Sequence, residues 1–215
     1  MKVKELTKEV VEEAAEVLSD GGIVCFPTDT LYGLLAHAGI REAVERLYAI
    51  RRPSGRPFLL LVPDVSWVQE LGLLAGDLSM RLMELYNATF IFYKKTKVPL
   101  YLTRGRKSLA LRIPPGESQV MELLHLLDAP VVAPSANPEG EKPALNMKEA
   151  IEYFGDKVDL YVDGGDRKGK PSTIVRALYP KGLRKVREGS VPFEKILETY
   201  RRLRSSPFSY SGDAP

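Results

Sequence analysis

The chain has 215 residues, of which 44% are hydrophobic and 27% charged, and its net charge is +3. This length and balance suit one soluble domain with a sizeable core, and they exclude neither nucleic acid nor small anions as partners. One cysteine and two histidines exclude a disulfide framework and argue against a zinc site. No signal peptide or bilayer-spanning stretch is visible, which predicts a cytoplasmic protein without a membrane partner.

The first half of the chain alternates between helical and strand-like patterns. Apolar residues at helical spacing predict helices, which span residues 7–19, 41–50 and, as two short helices, 66–85. Short apolar runs predict buried strands at residues 23–26, 58–62 and 89–93. Strands that alternate with helices are typical of an α/β fold.

The second half continues the alternation. Predicted strands span residues 109–113, 130–133, 160–163, 173–176 and 185–188. Predicted helices span residues 118–127, 146–154 and 191–203, and Asn146 with Glu149 has the spacing of a capping box. No repeat or internal linker is visible. We therefore expect one domain over residues 1–204, followed by a disordered tail at residues 205–215.

Three polar residues, Thr28, Asp29 and Thr30, follow the first buried strand directly. Open α/β sheets bind ligands beyond the ends of such strands, so these side chains are candidate ligands. Polar residues also form Asx and Ser/Thr turns in many loops, and taken alone these three residues are more typical of a turn.

Arginines and small polar residues mark two further loops. Arg51, Arg52 and Arg56 lie among prolines and a glycine, and a guanidinium held in this way can bind two phosphate oxygens at once. A solvated helix end, favourable to the helix dipole, explains the same arginines slightly better when nothing else is considered. Ser135 and Asn137 lie between prolines after another strand.

Arg112 interrupts an apolar strand, where a buried guanidinium is costly without a partner. This favours a bound ligand or a buried ion pair. Arg187 alternates with Val186 and can point to water. Basic loops at residues 94–97, 104–107 and 167–170 face either RNA or solvent, and a solvated surface is the simpler interpretation.

Taken together, these stretches resemble the YrdC family, the threonylcarbamoyl-AMP synthases of tRNA modification. The resemblance runs from about residue 21 to residue 189. The matching segments are residues 26–33 (FPTDTLYG), 50–53 (IRRP) with 56–57 (RP), 109–114 (LALRIP), 133–137 (APSAN), 172–175 (STIV) and 187–189 (REG). Each segment is weak alone, but their order and spacing are specific.

The resemblance implies a twisted, mostly parallel mixed sheet with helices around a concave basic cavity. It also implies a nucleotidyltransferase that makes threonylcarbamoyl-AMP and pyrophosphate from L-threonine, bicarbonate and ATP, with Mg²⁺ accompanying ATP. Downstream threonylcarbamoyl transferase proteins would then modify tRNA. Such chemistry needs positioning and charge stabilisation and no covalent nucleophile.

Site residues follow from the resemblance position by position. Thr28 would hold threonine, Arg112 would pair with its carboxylate, and Ser172 would lie close by. The residues that would bind the nucleotide are Arg51, Arg52, Arg56, Ser108, Ser135, Asn137 and Arg187. Asp29 would either contact Mg²⁺ or cap the turn, and the metal ligands are otherwise unassigned.

The chain departs from the family pattern at the phosphate-binding arginines. The family has Lys, one further residue, Arg and Pro, whereas here Arg51 and Arg52 are adjacent, so a residue is missing or the lysine position is vacant. Asn87 and Ala88 stand where Pro-Gly is common. The arginine-rich loop resembles YciO, a relative of less settled role. Two alternatives follow: a YciO-like paralogue with weak or different nucleotide chemistry, and a non-catalytic RNA-binding protein.

Overall fold

The computed structural model describes residues 2–52, 54–95, 98–180 and 182–205. Within these ranges, no helix is both long and apolar enough to cross a membrane. Ser205, which the prediction placed in the tail, is the last residue of a helix. Residues 206–215 lie outside the described part of the chain.

Every predicted element is present, most with shifted boundaries and the strand at residues 160–163 with the predicted ones. The strands are β1 (Lys2–Glu5), β2 (Val24–Pro27), β3 (Tyr32–His37), β4 (Leu60–Leu61), β5 (Leu73–Leu74), β6 (Thr89–Lys94), β7 (Ser108–Arg112), β8 (Val131–Val132), β9 (Leu160–Asp163), β10 (Ile174–Ala177) and β11 (Leu183–Arg187). The helices are α1 (Lys8–Ser19), α2 (Arg41–Arg51), α3 (Trp67–Glu70), α4 (Asp77–Leu85), α5 (Leu100–Thr103), α6 (Gln119–Leu127), α7 (Met147–Phe154) and α8 (Phe193–Ser205).

The strands form one mixed sheet in the order β1-β9-β2-β3-β8-β4-β7-β6-β10-β11, and β5 pairs with β6 outside this path. Four pairings are parallel, namely β1 with β9, β9 with β2, β4 with β7 and β6 with β10. The other six pairings among the described strands are antiparallel. The α/β class and the mixed sheet are confirmed.

The unpredicted strand β3 turns the first polar loop into the connection of a β-hairpin. Strand β2 is buried along its whole length, and its register places Cys25 opposite Leu34 and Pro27 opposite Tyr32. The connection between Pro27 and Tyr32 is therefore four residues long, a common hairpin length. This geometry holds Thr28 to Leu31 rigidly between two buried strands.

Helices cover both faces of the sheet. On one face α1 and α6 pack together, and Leu18 and Leu124 lie in an apolar cluster with Val24 and Phe26 of β2. On the other face, residues of α2, α4, α7 and α8 join a larger cluster around the remaining strands. Burial of apolar surface on both faces stabilises the frame that carries the polar loops.

Side-chain caps begin three of the helices. Thr7 accepts a hydrogen bond from the third residue of α1, and Ser118 does the same for α6. The predicted capping box is confirmed at α7, where the side chain of Asn146 accepts from the Glu149 N–H at 2.9 Å. The Glu149 carboxylate accepts from the N–H of Leu145, one residue before the usual donor of the box.

Candidate functional site

The hairpin turn after β2 is organised by the hydroxyl of Thr28. Its Oγ1 donates to the carbonyl of Leu31 at 2.6 Å and accepts from the N–H groups of Thr30 and Leu31 at 3.3 Å each. The alternative prediction that Asp29 caps this turn is therefore wrong, because Thr28 supplies the capping oxygen. The carboxylate of Asp29 therefore makes its contacts outside the turn.

Asp29 forms a buried ion pair with Arg112, the last residue of β7. The Arg112 side chain is 4% exposed and that of Asp29 is 11% exposed. Nε and Nη2 of Arg112 also donate to Asn87 Oδ1, at 2.8 and 2.6 Å. Nη1 lies 3.5 Å from the Thr30 hydroxyl. Of the alternatives that the sequence left for Arg112, the buried ion pair is confirmed.

The charges of Arg112 and Asp29 are electrostatically coupled. Burial lowers the pKa of Arg112, Asp29 opposes that shift, and the nearby charge of Arg187 adds to it. Asp29 Oδ1 is buried and has no hydrogen-bond partner among the described residues. Unpaired buried polar atoms are rare in folded proteins, so this oxygen is a candidate ligand atom.

The ion pair joins parts of the sheet that are distant in both sequence and strand order. Asp29 and Arg112 are 83 residues apart. In the sheet, β3, β8 and β4 lie between β2 and β7. The turn of the β2–β3 hairpin therefore reaches past two further strands, β8 and β4, and nothing in the local sequence around Asp29 or Arg112 specifies that contact.

Ser172 is connected to this cluster through Thr89. The two hydroxyls are 2.8 Å apart and both side chains are buried. Thr89 follows Asn87 by two residues and opens β6. The carbonyl of Ser172 accepts from Nε and Nη2 of Arg187 at 3.3 and 2.8 Å. The exposed side chain of Arg187 is thus held over the segment that carries Ser172, where the sequence alone allowed it to point to water.

The loop at residues 164–171 covers the hairpin turn. A Cβ added to Gly169 would lie 2.2 Å from the carbonyl oxygen of Thr30, which no side chain can tolerate. Gly169 therefore allows the two backbones to touch. The basic loop at residues 167–170, which was predicted to face solvent or RNA, therefore packs against the cluster formed by Thr28, Asp29 and Arg112.

A second cluster forms where α2 meets the loop after β8. Arg51, which is 4% exposed, donates from Nε to the carbonyl of Ser135 at 2.9 Å and from Nη2 to Asn137 Oδ1 at 3.3 Å. Its Nη1 is buried and unpaired among the described residues. Burial and the charge of Arg52 lower the pKa of Arg51 to about 10. Arg51 is thus a buried cation, so the solvated helix end is excluded for this residue.

Arg52 is held by aromatic stacking. Its guanidinium lies 4.9 Å from the ring centre of Phe58, which stacks on Tyr48 at 4.2 Å, and Arg104 lies 4.4 Å from the Tyr48 ring. Cations over aromatic faces are attracted by the ring quadrupole. Arg56, by contrast, is exposed. The three arginines of this loop therefore differ: one is buried, one is stacked and one is exposed.

The two clusters are joined through β3. Gly33 forms a bridge with Ser135, and the Leu34 N–H donates to the carbonyl of Pro134 at 2.9 Å. Ser54 closes the arginine loop onto the loop after β8 by donating to Glu139 from its hydroxyl at 2.5 Å. The structure thus places the predicted residues of both sets in neighbouring loops.

Ser108, a predicted nucleotide-binding residue, lies at the opposite end of β7 from Arg112. It begins β7, four residues before Arg112, and an extended strand separates these positions by about 13 Å. Its hydroxyl accepts from Nη1 of Arg176 at 3.5 Å. A nucleotide would have to extend toward the start of β7 to reach it, and this role of Ser108 stays a prediction, as does the concave basic cavity.

Sequence reasoning missed Asn87, Thr89 and Glu139 as parts of the site. The signal for Asn87 was its rarity, because the chain has only three asparagines and this one lies two residues before a buried strand. Thr89 and Glu139 carry no comparable signal, since buried threonines in strands and glutamates in loops are common.

The family model Sua5/YciO/YrdC, described as Telomere recombination, matches residues 16–189. The chain belongs to this family. Within the Sua5/YciO/YrdC family it is 30% identical to the threonylcarbamoyl-AMP synthase of Pyrococcus abyssi over 94% of its own length. It spans 62% of that relative.

Solved structures of the family give the same fold. The chain matches P. abyssi Sua5 complexed with L-threonine with a TM-score of 0.82 and 28% identity, covering 93% of this chain and 60% of that one. It matches Escherichia coli YciO with a TM-score of 0.72 and 28% identity, covering 87% of this chain and 93% of YciO. Both branches that the sequence resembled are thus represented among its structural relatives.

Proposed function

We propose that this protein is an L-threonylcarbamoyladenylate synthase. The observation that carries the proposal is Arg112: a buried guanidinium whose Nη1 makes, among the described residues, one long contact, 3.5 Å from the Thr30 hydroxyl. A guanidinium has five N–H donors in a fixed plane and binds carboxylates well. In this role Nη1 receives the carboxylate of L-threonine beside the turn at Thr28. The relative solved with L-threonine supports this choice of amino acid.

The second cluster would receive ATP. Arg51, Arg52 and Arg56 provide three cations in six residues, and Arg187 adds a fourth near Ser172. Threonine, as its carbamate, and ATP are both anionic, so one site that holds them needs several fixed positive charges. The buried or stacked arginines supply these charges without rearrangement during the reaction. Ser108, Ser135 and Asn137 would border the nucleotide.

The reaction would proceed by positioning. The threonine amino group combines with bicarbonate to give a carbamate and water. A carbamate oxygen then attacks the α-phosphorus of ATP, and the bond to the β-phosphate oxygen breaks to release pyrophosphate. The protein residues hold the two reactants in line and stabilise the charge on the phosphoryl oxygens. Downstream transferase proteins would deliver the threonylcarbamoyl group to tRNA in the cytoplasm.

Asp29 fits the Mg²⁺ that accompanies ATP. Mg²⁺ in nucleotide sites is bound by one or two carboxylates together with phosphate oxygens. Within the described part of the chain, Asp29 Oδ1 is buried and unpaired, and no cluster of three or more His, Cys, Asp or Glu would hold the ion alone. Bound there with the nucleotide, the ion would neutralise phosphate charge.

The proposal is tested by incubating the purified protein with ATP, Mg²⁺ and bicarbonate, with and without L-threonine. Pyrophosphate and the adenylate product are followed by chromatography. We expect threonine-dependent product from the wild type, no detectable product from Arg112→Ala, and normal product from Arg81→Ala, which changes an exposed arginine of α4. Circular dichroism checks that each variant is folded. Unchanged turnover by a folded Arg112→Ala protein would contradict the assignment.

The second candidate is a YciO-like paralogue with weak or different nucleotide chemistry. Two observations favour it. Arg51 and Arg52 are adjacent in the sequence, and the match to this chain covers 93% of the length of YciO. Under this candidate the protein binds ATP and releases little or no threonine-dependent pyrophosphate. Efficient threonine-dependent synthesis would exclude it.

A further inference from the structure

Asn87 lies between the two members of the buried ion pair. Its Oδ1 accepts from both Nε and Nη2 of Arg112, at 2.8 and 2.6 Å, and its amide nitrogen donates to Asp29 Oδ2. The orientation of this amide is unambiguous. With oxygen and nitrogen exchanged, an NH₂ group would face the guanidinium donors and a carbonyl oxygen would face the carboxylate. With the amide in this orientation, each contact among Asp29, Asn87 and Arg112 pairs a donor with an acceptor.

This contact decides which edge of Arg112 is available. A guanidinium is planar, so fixing the edge formed by Nε and Nη2 also fixes the direction of Nη1. Asn87 occupies the first edge, Asp29 accepts from Nη2, and Nη1 turns toward Thr30 in the hairpin turn. Without Asn87, Arg112 would keep Asp29 as its partner at Nη2 and could rotate about its long side chain.

We propose that Asn87 is a positioning residue that directs Nη1 of Arg112 toward the carboxylate of the bound amino acid. This inference rests on the proposed function, because the carboxylate belongs to L-threonine. Asn87 itself contacts no reacting atom. It acts through Arg112, and it also donates to Asp29, whose Oδ1 has no hydrogen-bond partner among the described residues. Removing it should weaken recognition of the carboxylate and leave binding of ATP without Mg²⁺ intact.

The test compares L-threonine with L-threoninamide, in which the carboxylate is replaced by a neutral amide. Calorimetry measures binding of each compound, and separately of ATP without Mg²⁺, to the wild type and to Asn87→Ala. We expect the wild type to prefer threonine by at least about 10-fold. In Asn87→Ala, threonine affinity should fall about 10-fold while threoninamide and ATP affinities change less than about twofold, because a charge-assisted contact has been lost. If Asn87→Ala does not fold, Asn87→Ser replaces it in the test. The serine side chain is too short to reach both Arg112 and Asp29, so the same loss of threonine affinity is expected.

Asn146→Ala is the matched control. This asparagine caps α7 through a hydrogen bond to Glu149 N–H and lies outside both clusters. Its removal should lower the melting temperature and leave the preference for threonine unchanged. An Asn87→Ala protein that retains the wild-type preference would overturn the inference while the proposed function stands. A wild-type protein that binds neither threonine nor threoninamide would overturn both.

Discussion

Replacing Arg112 by leucine should destabilise the protein strongly, because it leaves Asp29 as an uncompensated buried carboxylate. The two side chains are 4% and 11% exposed, so water cannot replace the lost partner. Breaking a buried ion pair by removing one member costs about 3–5 kcal/mol. We therefore expect Arg112→Leu to lower the free energy of unfolding by about 3 kcal/mol, a large share of the typical 5–15 kcal/mol.

The double variant Arg112→Leu with Asp29→Leu makes the prediction more specific. Replacing both charges by apolar groups of similar size is often neutral, because the cost of burying each charge disappears together with their attraction. We expect each single variant to be destabilised, and the double variant to be at least about 2 kcal/mol more stable than the sum of the single effects predicts.

Urea unfolding followed by far-ultraviolet circular dichroism measures these differences. Arg81→Leu is the control, since Arg81 pairs with Glu84 on the surface, with side chains 61% and 42% exposed. Exposed pairs contribute less than about 1 kcal/mol. If Arg112→Leu costs no more than Arg81→Leu, or if the effects of Arg112→Leu and Asp29→Leu simply add, the ion pair does not have the energetic role argued from its burial.

Two further predictions concern other parts of the molecule. Gly169→Ala should separate the loop at residues 164–171 from Thr30, since the new Cβ would lie 2.2 Å from a backbone oxygen. We expect faster tryptic cleavage at Lys168, and no change for Gly116→Ala, whose Cβ meets open space; equal cleavage of both variants would disprove the contact. Cys25 should resist thiol reagents at pH 8 in the native protein and react once unfolded, because burial raises the pKa of its thiol. Rapid labelling of the native protein would contradict the buried position of this strand.

Local patterns in the sequence determined most of the secondary structure. Helical spacing and short apolar runs depend on neighbours a few residues away, and they located helices such as α1 and α7 within one or two residues. The strand predicted at residues 58–62 is shorter than expected because the N–H of Phe58 donates to the hydroxyl of Tyr48 instead of to a strand. Strand β3 was missed because Gly33 and Ala36 weaken its strand pattern.

The sequence alone also showed that Arg112 needs a partner, since a charge in an apolar strand is costly wherever the chain folds. It could not say that the partner is Asp29 or that Asn87 joins them. Those contacts connect residues 83 and 25 positions from Arg112. They depend on the order of strands in the sheet and on the path of the hairpin turn past β8 and β4. No local periodicity carries that information, so only the tertiary structure decided which polar residues form the site.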